Sequence, residues 1–139
     1  MDCAIVSIAN ILGISSGEVT RIIGHAGLEV VYPHRSGSSK YKGIHPQEYM
    51  DVFRRFGKVL VYVEADPYLG QIAERPNRVY PNPAKRFLKY LKGQEGLIHL
   101  PNHCCWFKGD IIYDPNGPTY DLSRNDLEIL GAWVSHQIT

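Results

Sequence analysis

The chain has 139 residues, of which 44% are hydrophobic and 21% charged, with a formal net charge of +1. That length holds one domain with a real core and is too short for two, and the composition excludes a disordered chain. The near-neutral balance gives no electrostatic reason to expect nucleic acid or an anionic membrane as partner.

At the N-terminus, Asp2 is placed to cap a helix over the apolar, small-residue run from Cys3 to Leu12, which Gly13 stops. Ile5, Ile8, Ala9 and Leu12 fall on one face, and Ala4, Ile8 and Ile11 widen it, so the helix is expected to be buried. Met1-Asp2-Cys3 lacks the basic start of a signal peptide, and no apolar run reaches the length of a membrane span. Three cysteines, two of them adjacent, are poor material for a disulfide framework. The expectation is a cytoplasmic protein with reduced thiols.

Ser15-Ser16-Gly17-Glu18 has capping-box spacing and opens a second short helix through Ile22-Ile23-Gly24. From Pro33 to Gly43 the chain turns polar and basic, a loop whose Arg35, Lys40 and Lys42 are either solvated or in reach of a substrate. His45-Pro46 starts a third helix with Tyr49, Val52, Phe53 and Phe56 inward and Gly57 closing it. Val59 to Val63 is a strand. The connection from Asp66 to Pro83 contains four prolines and no periodicity, and reads as an irregular excursion. A fourth helix over Pro83 to Lys92 turns Phe87, Leu88 and Leu91 inward and Lys85, Arg86, Lys89 and Lys92 outward. A last apolar segment, Ile129 to Val134, fits strand or helix.

Between the fourth helix and that segment lies the stretch from Leu97 to Asp114. It reads as short apolar strands, broken at Pro101-Asn102 and turned at Lys108-Gly109-Asp110. Closing a hairpin near Gly109-Asp110 brings His103 towards the Asp114 end of the opposite strand, within side-chain reach. A carboxylate there holds the imidazole by one nitrogen and leaves the other free as a base. Strand alternation puts Cys105 on the face of His103 and Cys104 on the other. Helices first and antiparallel strands second give an α+β class.

A base needs a nucleophile, and Cys3 offers one at the first turn of a helix. Unsatisfied amides and the helix dipole there favour a thiolate, and a histidine alongside would lower the thiol pKa further. In chain order the set is Cys3, His103 and Asp114.

Two stretches, Asp2 to Asn10 (DCAIVSIAN) and His103 to Asp114 (HCCWFKGDIIYD), carry a resemblance to the papain-like cysteine peptidases. More narrowly, the chain resembles the small bacterial and phage-type proteins related to the peptidase C39-like group. The resemblance implies an N-terminal helix carrying the cysteine, packed on an antiparallel sheet. It also implies Cys3 as nucleophile, His103 as general base and Asp114 as the orienting residue. The expected reaction is hydrolysis of a peptide or isopeptide bond in a peptide or protein substrate, with amidase or acyltransferase chemistry as the close variant. No metal or organic cofactor is implied. One departure is visible: such enzymes draw an oxyanion-hole donor, often Gln, from a few residues before the cysteine, and here only Met1 and Asp2 precede it. Weak catalysis, a donor from elsewhere, or a natural start upstream of Met1 would each account for it.

Each residue also has a plainer role. Cys3 fits a small buried hydrophobe, His103 a satisfied strand histidine, and Asp114 the opening of the Asp114-Pro115-Asn116-Gly117 turn. His99 is the competing base, set apart from the hairpin by Pro101-Asn102. Cys104 and Cys105 are expected in the core, and Trp106 and Tyr113 as core or site walls. A zinc site from Cys3, His103, Cys105 and another histidine is a further option, against which stands the lack of a C-x-x-C or H-x-x-x-H pair. The alternative function is a non-catalytic protein-binding module that keeps the fold.

Overall fold

The chain enters its first helix through Asp2, whose carboxylate accepts the Ala4 N–H at 2.8 Å. Helix α1 (Cys3–Leu12) ends at Gly13 with φ 69°, and α2 (Ser16–Ile23) follows, capped by Ser15. The computed structural model describes residues 2–28, 30–31, 40–41, 43–65, 85–123 and 129–138. The remaining elements are β1 (Val30–Val31), β2 (Lys40–Tyr41), α3 (Pro46–Arg55), β3 (Lys58–Glu64), α4 (Lys85–Leu91), β4 (Glu95–Leu100), β5 (His103–Lys108), β6 (Ile111–Tyr113), β7 (Thr119–Asp121) and β8 (Gly131–Gln137). The excursion expected from Asp66 to Pro83 lies outside the described residues, as do the start of the fourth helix at Pro83 and loop residues Arg35 and Lys42.

The strands form a six-stranded antiparallel sheet in the order β3-β8-β4-β5-β6-β7, and β1 pairs with β2 separately. The fold is thus α+β, with the N-terminal helix laid on an antiparallel sheet. Helices α1, α2 and α3 cover one face through Ala4, Ile5, Ile8, Val19, Val52 and Phe53, which meet Leu60, Leu97 and Cys104 of the sheet. The other face carries Leu91 of α4 against Ile98, Cys105, Phe107, Ile112 and Val134. Strands β4 and β5 are therefore buried on both sides, and this is why they read as nearly continuous apolar runs. No single helix among the described residues is long and apolar enough to cross a membrane.

The ambiguous C-terminal segment is strand from Gly131 on, and it lies between the edge strand β3 and β4. Its closeness to β4 needs Gly96, because a Cβ there would overlap the carbonyl oxygen of Trp133. Phe56, expected inward, is 37% exposed instead. It follows the last turn of α3, where the helical face no longer points at the sheet. The capping box anticipated at Ser15 is half formed. Ser15 Oγ accepts the Glu18 N–H, but the Glu18 carboxylate turns to Arg21. A reciprocal box forms at α3, where His45 Nδ1 accepts from Gln47 and Glu48 accepts the His45 N–H at 2.9 Å. Glu48 also holds His25, whose Nδ1 accepts the Gly27 N–H, so its Nε2 carries the proton donated to the carboxylate.

Candidate functional site

Two consecutive hairpins build one wall of the site. In the first, Leu100 pairs with His103 across Pro101-Asn102, with Asn102 at φ 53°. Proline followed by a left-handed Asn suits a tight turn, so the break read in the sequence is a hairpin of its own. In the second, Lys108 pairs with Ile111 across Gly109-Asp110, as expected, with Gly109 at φ 62°. Trp106 and Tyr113 face each other across it and stack at 4.1 Å.

Continuing that register sets Asp114 opposite Cys105 and diagonal to His103. The diagonal reach is made: His103 Nε2 lies 2.9 Å from Asp114 Oδ1. The same oxygen accepts the Asn116 N–H at 2.8 Å, and the Asp114 carbonyl accepts from Gly117. Asp114 thus opens the turn and holds the imidazole at once, so the two roles read from the sequence coexist. Partial burial pushes its carboxyl up, but the Asn116 N–H, the His103 ring and the Cys105 thiol together hold it below the usual carboxylate range. With the Nε2 proton directed at the carboxylate, the lone pair of the neutral ring sits on Nδ1. The His103 side chain is 23% exposed and that of Asp114 9%.

The other wall is α1. Its first residue, Cys3, brings Sγ to 3.2 Å from the Cys104 backbone nitrogen and accepts that N–H. One turn along, the buried Ser7 hydroxyl donates to the Cys104 carbonyl at 3.2 Å. Two α1 side chains spaced i, i+4 therefore grip a single residue of β5, the one after His103. Sequence reading missed Ser7, although its spacing from Cys3 on the inner face of an apolar helix was a usable signal.

The electrostatics of Cys3 differ from expectation. Burial pushes the thiol up, and the Asp2 charge adds to this; the backbone N–H groups of Cys104, Cys3 and Ala4 act the other way and lose. The amides of the helix start are present as anticipated, but half-burial outweighs them. Among the described residues no hydrogen bond joins Cys3 to His103, whose bonded nitrogen is the one facing Asp114. The structure thus pairs His103 with Asp114 and seats Cys3 against the adjoining residue of the same strand.

Alternation along β5 puts Cys104 among the α1-side core and Cys105 with Phe107 on the opposite side, as expected. Cys105 Sγ lies beside the dyad, with one ligand atom each from His103, Cys105 and Asp114 within 4.8 Å of one another. Burial, then the Asp114 charge, push the Cys105 thiol up to about 12. His99, the competing base, pairs in register with Cys104 and so shares its face. It meets Tyr49 edge-on at 5.9 Å, and Tyr49 in turn meets Trp133. Burial pushes the His99 pKa down, and among the described residues its Nε2 and the Trp133 Nε1 have no hydrogen-bond partners.

The chain matches no known family model, no curated protein and no solved structure.

Proposed function

We propose that this chain is a cysteine-dependent hydrolase that cleaves a peptide or isopeptide bond through a thioester at Cys3. The observation that carries the reading is the His103–Asp114 pair at 2.9 Å, which leaves Nδ1 as the basic nitrogen one residue from the peptide N–H that seats Cys3 Sγ. In the reaction, Cys3 gives its proton to His103 Nδ1 as sulfur attacks the carbonyl carbon. The imidazolium then protonates the departing amine. Water, deprotonated by the same ring, cleaves the thioester and restores the thiol. Asp114 keeps the ring in the required tautomer and stabilises the imidazolium. The Cys3 backbone N–H supplies one donor to the oxyanion. The ring lies with Cys105 on the sheet face away from α1, so substrate binding must turn it about the end of β5 to meet the sulfur.

The raised Cys3 pKa favours a second reading, a protein-binding module that keeps this fold without turnover. Site-resolved iodoacetamide labelling at neutral pH separates the two. The hydrolase reading expects Cys3 to react well ahead of the buried Cys104 and Cys105, and to slow in His103→Ala. Uniformly slow labelling of all three, unchanged by His103→Ala, would remove the hydrolase reading.

A further inference from the structure

The acid–base dyad has a third neighbour that hydrolysis does not use, the Cys105 thiol. We propose that His103, Cys105 and Asp114 form a three-ligand site for a thiophilic divalent cation of the zinc class. Their ligand atoms already cluster within 4.8 Å, with His103 Nε2 and Asp114 Oδ1 at 2.9 Å. Zinc bonds of about 2.0–2.3 Å separate tetrahedral ligand atoms by roughly 3.2–3.8 Å, so a small parting of His103 from Asp114 and an approach of Cys105 suffice. The donor set is one imidazole, one thiolate and one carboxylate, a mixture suited to zinc rather than to calcium or magnesium. A thiolate and a carboxylate also neutralise the dication, so no net charge is left in a site walled by Phe107, Leu100 and Ile98.

The residues sit on a rigid frame. His103 and Cys105 are two apart on one face of β5, and Asp114 is fixed by the Asn116 N–H and the turn through Gly117. The exposed edge of His103 is the route in, and water completes the coordination. Uptake is balanced in protons. The Cys105 thiol releases one proton to solvent as sulfur binds the ion, Asp114 is already ionised, and the neutral imidazole gives up none. Its proton moves from Nε2, which binds the ion, to Nδ1.

That tautomer change gives the site a consequence. With the ion on Nε2 and the proton on Nδ1, His103 has no lone pair left for the Cys3 proton. Metal occupancy and general-base action then exclude each other at this ring. The blocking effect rests on the hydrolase reading; the binding itself does not.

The test is a cobalt(II) titration of the full chain, kept reduced with a non-chelating phosphine, followed by zinc addition. Expected are a sulfur-to-cobalt charge-transfer band saturating at one equivalent, its loss on adding zinc, and its loss in Cys105→Ser and in His103→Gln. The band persists in Cys3→Ser and Cys104→Ser. Because His103 is partly exposed, His103→Gln serves as the decisive variant where Cys105→Ser does not fold. A folded wild-type chain without the band, or a band lost in Cys3→Ser but kept in His103→Gln, overturns the site. The hydrolase reading is judged separately by labelling of Cys3. Zinc is expected to slow that labelling in wild type and to leave it unchanged in Cys105→Ser.

Discussion

Ser7 illustrates how much a single hydroxyl decides. It is fully buried, it donates to the Cys104 carbonyl, and Cys3 takes the N–H of the same residue. Ser7→Ala leaves that carbonyl short of a partner and is expected to cost about 1–3 kcal/mol, measured by urea denaturation. It should also loosen the seat of Cys3, so labelling of Cys3 changes along with stability. At the dyad, His103→Ala is expected to lower turnover roughly 10²–10⁴-fold on any peptide the chain proves to cleave, with the thermal midpoint little changed. The pairing of His103 with Asp114 was legible in the sequence, because Gly109-Asp110 fixes the hairpin register and the rest follows from counting. The state of the Cys3 thiol was not. A helix start is visible in a sequence, but the depth at which sulfur is buried depends on what the sheet lays over it.

Among the elements, α1, α2, α3 and the β5–β6 hairpin follow their local signals closely: Asp2, Gly13, Ser15, Gly24, Pro46 and Gly109 sit where the chain turns in or out. The hairpin at Pro101-Asn102 was readable in principle, since proline followed by asparagine is turn chemistry, yet its proline first reads as a break. The C-terminal segment was undecidable for a physical reason. A strand buried on both faces loses the alternation that marks a strand, and β8 holds such a place between β3 and β4. That crowding makes a specific expectation. Gly96→Ala sets a methyl group against the Trp133 backbone and is expected to prevent stable folding, read as loss of the cooperative thermal transition. By contrast, alanine in place of the Asp2 cap should cost only about 1 kcal/mol, because the rest of α1 remains packed on the sheet.

The molecule as a whole carries several buried acids that stay protonated when folded. Burial first, then nearby negative charge, hold the Tyr49 phenol and the Cys104 thiol above their ordinary values. In the unfolded chain a thiol ionises near about 8.5 and a phenol near about 10. Above each of these the unfolded state sheds a proton that the folded state keeps. The contribution of these groups is thus complete below pH ~8.5 and falls as pH rises, by up to about 1.4 kcal/mol per pH unit for each group. Urea midpoints measured from pH 8 to 11 check this, with Tyr49→Phe expected to flatten the portion above pH ~10. An unchanged profile in that variant would assign the loss to the thiols alone. The sheet order also bears on how the protein is made. Among the described strands β8 is the last to leave the ribosome, yet it occupies an interior lane between β3 and β4. Until it threads into that lane, β3 has no partner strand and β4 keeps one edge open, although β4 and β5 can already support α1. A chain that ends before residue 131 would thus leave the facing edges of β3 and β4 unpaired, two open strand edges that invite aggregation.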